Sequence, residues 1–201
     1  MQKNRGVKKL TDNRFLNLYH IQALDTKGRD FDYFFASRND EDAIKLRTKS
    51  MEPEGIVIYA VTQEETPRLV LIRQYRYPLD DYIYELPAGL IDAGETAGEA
   101  AARELKEETG FGFTEYTGGE QLYRRPYFMG PGFTDETSAA VFGTAHGTIS
   151  GQLNEDTEEI QVILADKAAV KQILATERVS LRGAYLMMHF IHSESPFAFL
   201  H

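Results

Sequence analysis

Three glutamates, Glu104, Glu107 and Glu108, stand at i, i+3 and i+4. On a helix that spacing crowds three carboxylates onto one face. Like charges so close cost helix stability, so their grouping asks for a compensating positive charge. Oxygen donors of this kind suit a hard divalent cation, Mg²⁺ or Mn²⁺. Arg103, beside the cluster, can neutralise part of it or orient a neighbouring carboxylate such as Glu95. Taken alone, three glutamates read more simply as a solvated helix face. The residues around them decide between the two readings.

A helix is expected from about Thr96. Thr96 and Glu99 are spaced as a capping box, the interior is rich in Ala, Glu and Leu, and Gly110 stands where a helix takes a left-handed last residue. Ala101 and Leu105, on the opposite stripe, can face a sheet. Strands are expected at Gly55 to Val61, Arg68 to Tyr75, Tyr82 to Leu86, Gln121 to Phe128, Ser138 to Gly143 and Ile160 to Leu164. Two helices close the chain, Asp166 to about Thr176 and Ser180 to about Ser193. The first fifty residues read as a hairpin, Phe15 to Leu24 and Asp30 to Ser37 about the turn Asp25-Thr26-Lys27-Gly28, followed by a charged stretch from Arg38 to Arg47. Irregular interspersion of strands and helices makes the fold class α+β. The expected division is residues 1–50 as an N-terminal β-strand subdomain and residues 51–201 as the main domain.

Composition narrows the chemistry. The chain has 201 residues, 31 acidic against 22 basic, for a net charge of −9, and 42% hydrophobic residues. It can build a core, and its acidity argues against nucleic acid or an anionic membrane as partner. A phosphate-ester substrate would need its charge screened, most simply by a divalent cation. With no cysteine, disulfides, thiolate metal sites and cysteine nucleophiles are excluded. No apolar run approaches the roughly 18 residues of a membrane helix, and Met1-Gln-Lys-Asn-Arg-Gly lacks the apolar stretch of a signal peptide. The expected compartment is the cytoplasm. His189 and His192 lack a third ligand at matching spacing, and Arg124-Arg125-Pro126-Tyr127-Phe128 makes a poor RNA patch in an acidic chain. Nucleophile-elbow and Walker-type motifs are both missing.

From Gly89 to Phe111 the chain reads GLIDAGETAGEAAARELKEETGF. Gly89, Glu95, Arg103, Glu104, Glu107, Glu108 and Gly110, with apolar Leu105 and Phe111, fall at the spacing of the complete Nudix box, a pattern expected by chance roughly once in a million such chains. The sequence therefore resembles the Nudix hydrolases. The resemblance implies an α/β/α sandwich around a mixed sheet, and hydrolysis of a nucleoside diphosphate linked to another group. It implies that Glu104 and Glu108 ligate metal with Glu107 beside them, while Glu95 and Arg103 hold the loop and helix in place.

Three further segments, Arg73-Gln74-Tyr75-Arg76, Glu85-Leu86-Pro87-Ala88-Gly89 and Gly130-Pro131-Gly132-Phe133-Thr134-Asp135-Glu136, are similar to the ADP-ribose pyrophosphatase branch. By that resemblance the Ala88 carbonyl meets a metal and Arg76 contacts the substrate's phosphates. Glu85, Leu90, Gly130, Pro131, Gly132 and Glu136 belong to the substrate pocket. The branch more often has Ser where this chain has Gly130, which bears on the terminal-sugar pocket. An acidic loop, Asn154 to Glu159, matches the place of the catalytic base, with Asp156 in register as base and Glu158 as metal ligand; a slip in register would make Glu155 or Glu158 the base. Products would be a nucleoside monophosphate and a sugar phosphate. The resemblance also implies a homodimer built through the N-terminal strands, with Phe31, Tyr33 or Phe34 available to stack on the base. The rival substrates are GDP- or UDP-sugars and dinucleoside polyphosphates. A rival of another class is a module that senses ADP-ribose without hydrolysing it, which the intact carboxylates disfavour.

Overall fold

The computed structural model describes residues 3–150 and 159–201. In chain order, β1 (Asn4–Lys9), β2 (Asn17–Leu24), β3 (Asp30–Ser37) and a one-turn helix α1 (Lys45–Thr48) come first. Then follow β4 (Gly55–Thr62), β5 (Leu69–Arg76), β6 (Asp81–Glu85), β7 (Ala88–Leu90), helix α2 (Ala97–Thr109) and β8 (Gly112–Glu115). A two-residue β9 (Tyr127–Phe128) precedes the long β10 (Thr137–His146), and β11 (Ile160–Ala165) leads into α3 (Lys167–Thr176) and α4 (Leu181–His192). The chain divides into two compact units: Met1–Glu54 with Pro126–Ser138, and Gly55–Arg125 with Ala139–His201.

The larger unit is an α+β sandwich. Its sheet runs β11-β5-β4-β10-β8, with β6 added to β5 and β7 to β4. The segment GIVIYAVT of β4 is buried along its whole length, as a central strand covered on both faces should be. Alternation sorts its side chains. Val57, Tyr59 and Val61 pack with Val170 of α3 and Met187 and Phe190 of α4. Ile56, Ile58 and Ala60 pack with Ala100, Ala101 and Leu105 of α2. This period of two puts helices on both sides of the sheet.

Helix α2 begins and ends where its sequence directs. Thr96 Oγ1 accepts from the Glu99 N–H at 3.3 Å and the Glu99 carboxylate accepts from the Thr96 N–H at 2.8 Å, closing the capping box. Gly110 ends it at φ +82°, and a Cβ there would lie 2.4 Å from the Ser150 nitrogen. Glycine is needed for both reasons.

In the smaller unit the hairpin becomes a three-stranded antiparallel sheet, because β1 pairs with β2. The polar segment NRGVKK carries little apolar alternation, which is why it does not announce itself as a strand. The charged stretch after the hairpin is not wholly irregular either, since it holds the start of α1 and the buried Lys45. Another expectation needs correcting. Gln121 to Phe128 is not one strand but a 3₁₀ turn, Gln121–Arg124, and the short β9. Pro126 removes a ladder donor, and Arg124 Nη2 donates to the Tyr116 and Gly118 carbonyls at 2.6 and 2.5 Å. β7 and β8 are too short to read from a hydrophobic pattern.

Candidate active site

The loop from β7 to α2 is built around one guanidinium. Arg103 Nε donates to Glu95 Oε1 and Nη2 to Glu95 Oε2, each at 2.9 Å, the bidentate fork geometry that arginine favours. Its Nη1 donates to Glu104 Oε1 at 2.8 Å and Glu107 Oε2 at 3.1 Å, and Nη2 reaches the Leu90 carbonyl at 3.0 Å. Asp92 lies 3.8 Å away, and its backbone N–H also donates to Glu95 Oε2 at 3.0 Å. The Arg103 guanidinium and that N–H hold the Glu95 carboxyl down to about 2. Glu95 in turn holds the proton on Arg103 more tightly.

The carboxylates of α2 lie against β7. Glu104 sits over Gly89 so closely that a Cβ there would fall 1.9 Å from its Cδ, so any larger residue would displace it. The Ala88 N–H donates to Glu108 Oε2 at 3.2 Å, and Glu108 is buried. β7 is held in register by β4, with Val57 opposite Ala88 and Ile56 opposite Gly89. Leu90, next along, is exposed. Four carboxylates, Asp92, Glu95, Glu104 and Glu107, thus surround a single guanidinium, and Glu108 lies on the same helix. The surplus is negative, and oxygen donors of this kind suit a divalent cation. Among the described residues no three or more His, Asp or Glu side chains are gathered tightly enough to hold an ion unaided.

Arg76 and Glu85 meet on the paired strands β5 and β6, with Arg76 Nε donating to Glu85 Oε2 at 2.6 Å. Glu85 is buried, and Arg182 of α4 lies 3.9 Å from its other oxygen. Gly130, Pro131, Gly132 and Glu136 belong to the smaller unit. There the Gly130 carbonyl accepts from the Phe133 and Thr134 N–H groups at 2.9 Å, and Arg38 lies 3.6 Å from Glu136. Asp156, Glu158 and the alternative Glu155 lie outside the described residues. Asp92 is a partner of Arg103 that the sequence reading did not single out, and Leu90, expected in the substrate pocket, meets Arg103 through its carbonyl. The signal for Asp92 was its place three residues before Glu95.

Fold and site define a class that the comparisons name. The family model described as NUDIX domain matches residues 51–182, so the chain belongs to the Nudix family. The Caenorhabditis elegans protein called nudix hydrolase 2 is 38% identical over 136 residues, covering 64% of this chain and 59% of its own length. The ADP-ribose pyrophosphatase of Saccharomyces cerevisiae is 33% identical over 141 residues, covering 68% of this chain and 55% of its own. The chain thus spans little more than half the length of these two relatives. A crystal structure of an ADP compounds hydrolase superposes with a TM-score of 0.66 at 22% identity, covering 94% of both chains, a likeness of fold. Among the described residues no helix is long and apolar enough to cross a membrane.

Proposed function

We propose that this protein hydrolyses the pyrophosphate bond of ADP-ribose or a related nucleoside diphosphate sugar with the help of Mg²⁺, giving a nucleoside monophosphate and a sugar phosphate. The observation that carries the reading is the cluster of carboxylates set by α2 against Ala88 and Gly89, with the Arg103 guanidinium bonded to Glu95, Glu104 and Glu107 among them. The name of the yeast relative supports the substrate class.

Glu104 and Glu108, with the Ala88 carbonyl, would hold the cation, and Mn²⁺ has the same preference for oxygen donors. Bound there, divalent ions supply charge neutralisation of the pyrophosphate and lower the pKa of water. The chain's own residues do the rest. Arg103 and Glu95 keep the loop and helix in register, so that the Glu104 carboxylate stays over Gly89. Arg76, held by Glu85, meets the departing phosphate charge. Asp156 takes the proton from the attacking water as general base. The strands of the smaller unit serve a homodimer.

The test is product analysis across ADP-ribose, ADP-glucose, GDP-mannose, UDP-glucose and a dinucleoside polyphosphate, with Mg²⁺ and then with excess chelator. AMP and ribose 5-phosphate from ADP-ribose, lost on chelation and regained with Mg²⁺, is the expected result. Turnover of another sugar nucleotide alone would move the specificity. Metal-independent binding of ADP-ribose with no turnover would sink the enzyme reading.

A further inference from the structure

The smaller unit contains a buried polar network that the proposed reaction does not use. Lys45 is 6% exposed, a rare place for lysine unless it is paired. Its Nζ lies 3.0 Å from Glu54 Oε1 and donates to the Glu52 carbonyl at 2.5 Å and to Thr137 Oγ1 at 2.7 Å. Glu54 bonds the same residue, its Oε2 accepting from the Thr137 N–H at 2.8 Å. Burial pushes the Glu54 carboxyl up, but the hydrogen bonds from Thr137, Asn39 and Lys45 outweigh it, so the group stays below its ordinary range. The Lys45 backbone N–H donates to Asp135 Oδ2 at 2.9 Å.

Thr137 is the residue that follows the loop Gly130–Glu136, so the side chains of Lys45 and Glu54 fix the loop's C-terminal root while the Lys45 backbone N–H holds Asp135 within it. Its tip is held by polar contacts as well, the Tyr33 hydroxyl donating to the Gly132 carbonyl at 2.6 Å and the Ala36 N–H to the Phe133 carbonyl at 2.7 Å. Little apolar packing holds the loop. Gly130 is only partly buried, Pro131, Gly132 and Phe133 are exposed, and a cavity of about 340 Å³ opens beside Pro131, Thr134 and Asp135. A segment so placed is located by its hydrogen bonds, since dispersion contacts are missing on the cavity side.

We propose that the Lys45–Glu54 pair is a positioning clamp for the loop Gly130–Glu136 and thereby sets the affinity for the sugar end of the substrate. The inference rests on the reading of the chain as a nucleoside diphosphate sugar hydrolase, with Pro131, Gly132 and Glu136 in its substrate pocket. Lys45 and Glu54 act through that loop and are positioning residues, not catalytic ones.

The test uses the full chain with Mg²⁺ and compares wild type, Lys45→Met, and the double variant Lys45→Met/Glu54→Gln, which neutralises the half-buried carboxylate that the single change leaves without its cation. Melting temperature, kcat and KM for ADP-ribose, and inhibition constants for ribose 5-phosphate and AMP are measured on each. In the double variant we expect recovered melting temperature, a KM raised about tenfold and kcat within about twofold. Inhibition by ribose 5-phosphate weakens similarly while inhibition by AMP holds. If KM returns with stability, or if both inhibition constants move together, the clamp is merely structural and the proposal falls. A wild type that hydrolyses no nucleoside diphosphate sugar overturns the underlying reading as well. An active wild type whose variants bind the sugar end normally overturns the clamp alone.

Discussion

Arg103 in the larger unit and Lys45 in the smaller are both cations among carboxylates, and their surroundings differ in sign. Arg103 is partly open to solvent and faces Asp92, Glu95, Glu104 and Glu107, so one positive charge meets four negative ones. Lys45 is closed off with one carboxylate at contact, its other partners being a carbonyl and a hydroxyl. A balanced buried pair satisfies itself and locks a geometry. An unbalanced, partly exposed cluster keeps negative charge that a bound cation would offset. The choice of side chain follows: a planar fork can serve several carboxylates at once, whereas an ammonium is a compact charge on a flexible stem.

Breaking the balanced pair should give the largest effect. Lys45→Met leaves Glu54 charged, half-buried and without its cation, and a loss of about 3 kcal/mol is expected, read by denaturant unfolding. A loss near zero would mean that Glu54 is solvated in solution and that the contrast with Arg103 is illusory.

On the unbalanced side the first effect is on rate. Glu108→Gln should lower turnover of the preferred nucleotide sugar roughly 100- to 1,000-fold, the equivalent of several kcal/mol of charge stabilisation, while the fold persists. Stabilisation by Mg²⁺ in a thermal-shift assay should shrink with it. Unchanged turnover would remove Glu108 from the site.

Between these extremes lies the scaffold of the box. Thr96→Ala removes a capping side chain, and about 1 kcal/mol of stability should go with it, while KM stays near wild type at temperatures where the variant is folded. A change in KM without loss of stability would show that the start of α2 does more than begin a helix.

The smallest effect sharpens the electrostatics. Glu95 titrates at about 2 against an ordinary 4.5, so its folded form is depressed and its stabilising contribution is present above the ordinary value. It is lost as pH falls from 4.5 towards 2. Comparing Glu95→Gln with wild type by melting temperature across that range should show a modest gap at pH 6 that closes in acid. A gap that persists at pH 2 would attribute it to packing.

Much of this site is legible along the chain because its partners are near one another. Glu95, Arg103, Glu104, Glu107 and Glu108 lie within fourteen residues, so helical periodicity alone puts the carboxylates together. Capping signals bound α2, and the aliphatic run of β4 marks a buried strand. Lys45 and Glu54 are the opposite case. Nothing in Asp40-Glu41-Asp42-Ala43-Ile44-Lys45 distinguishes a buried lysine from solvated neighbours, since its acceptor Thr137 lies 92 residues away. β1 likewise escapes notice because its pairing with β2, not its own pattern, makes it a strand.

The sequence by itself determined the family, helix α2 and its carboxylate face, because these rest on short-range spacing and on residue types with few other uses in that pattern. Only the tertiary structure decided that Arg76 is held by Glu85 across two strands, that Glu104 lies over Gly89, and that Lys45 is closed into the network around Thr137. Those contacts depend on strand register and chain return, and a polar side chain's partner is chosen by which buried groups would otherwise go unsatisfied.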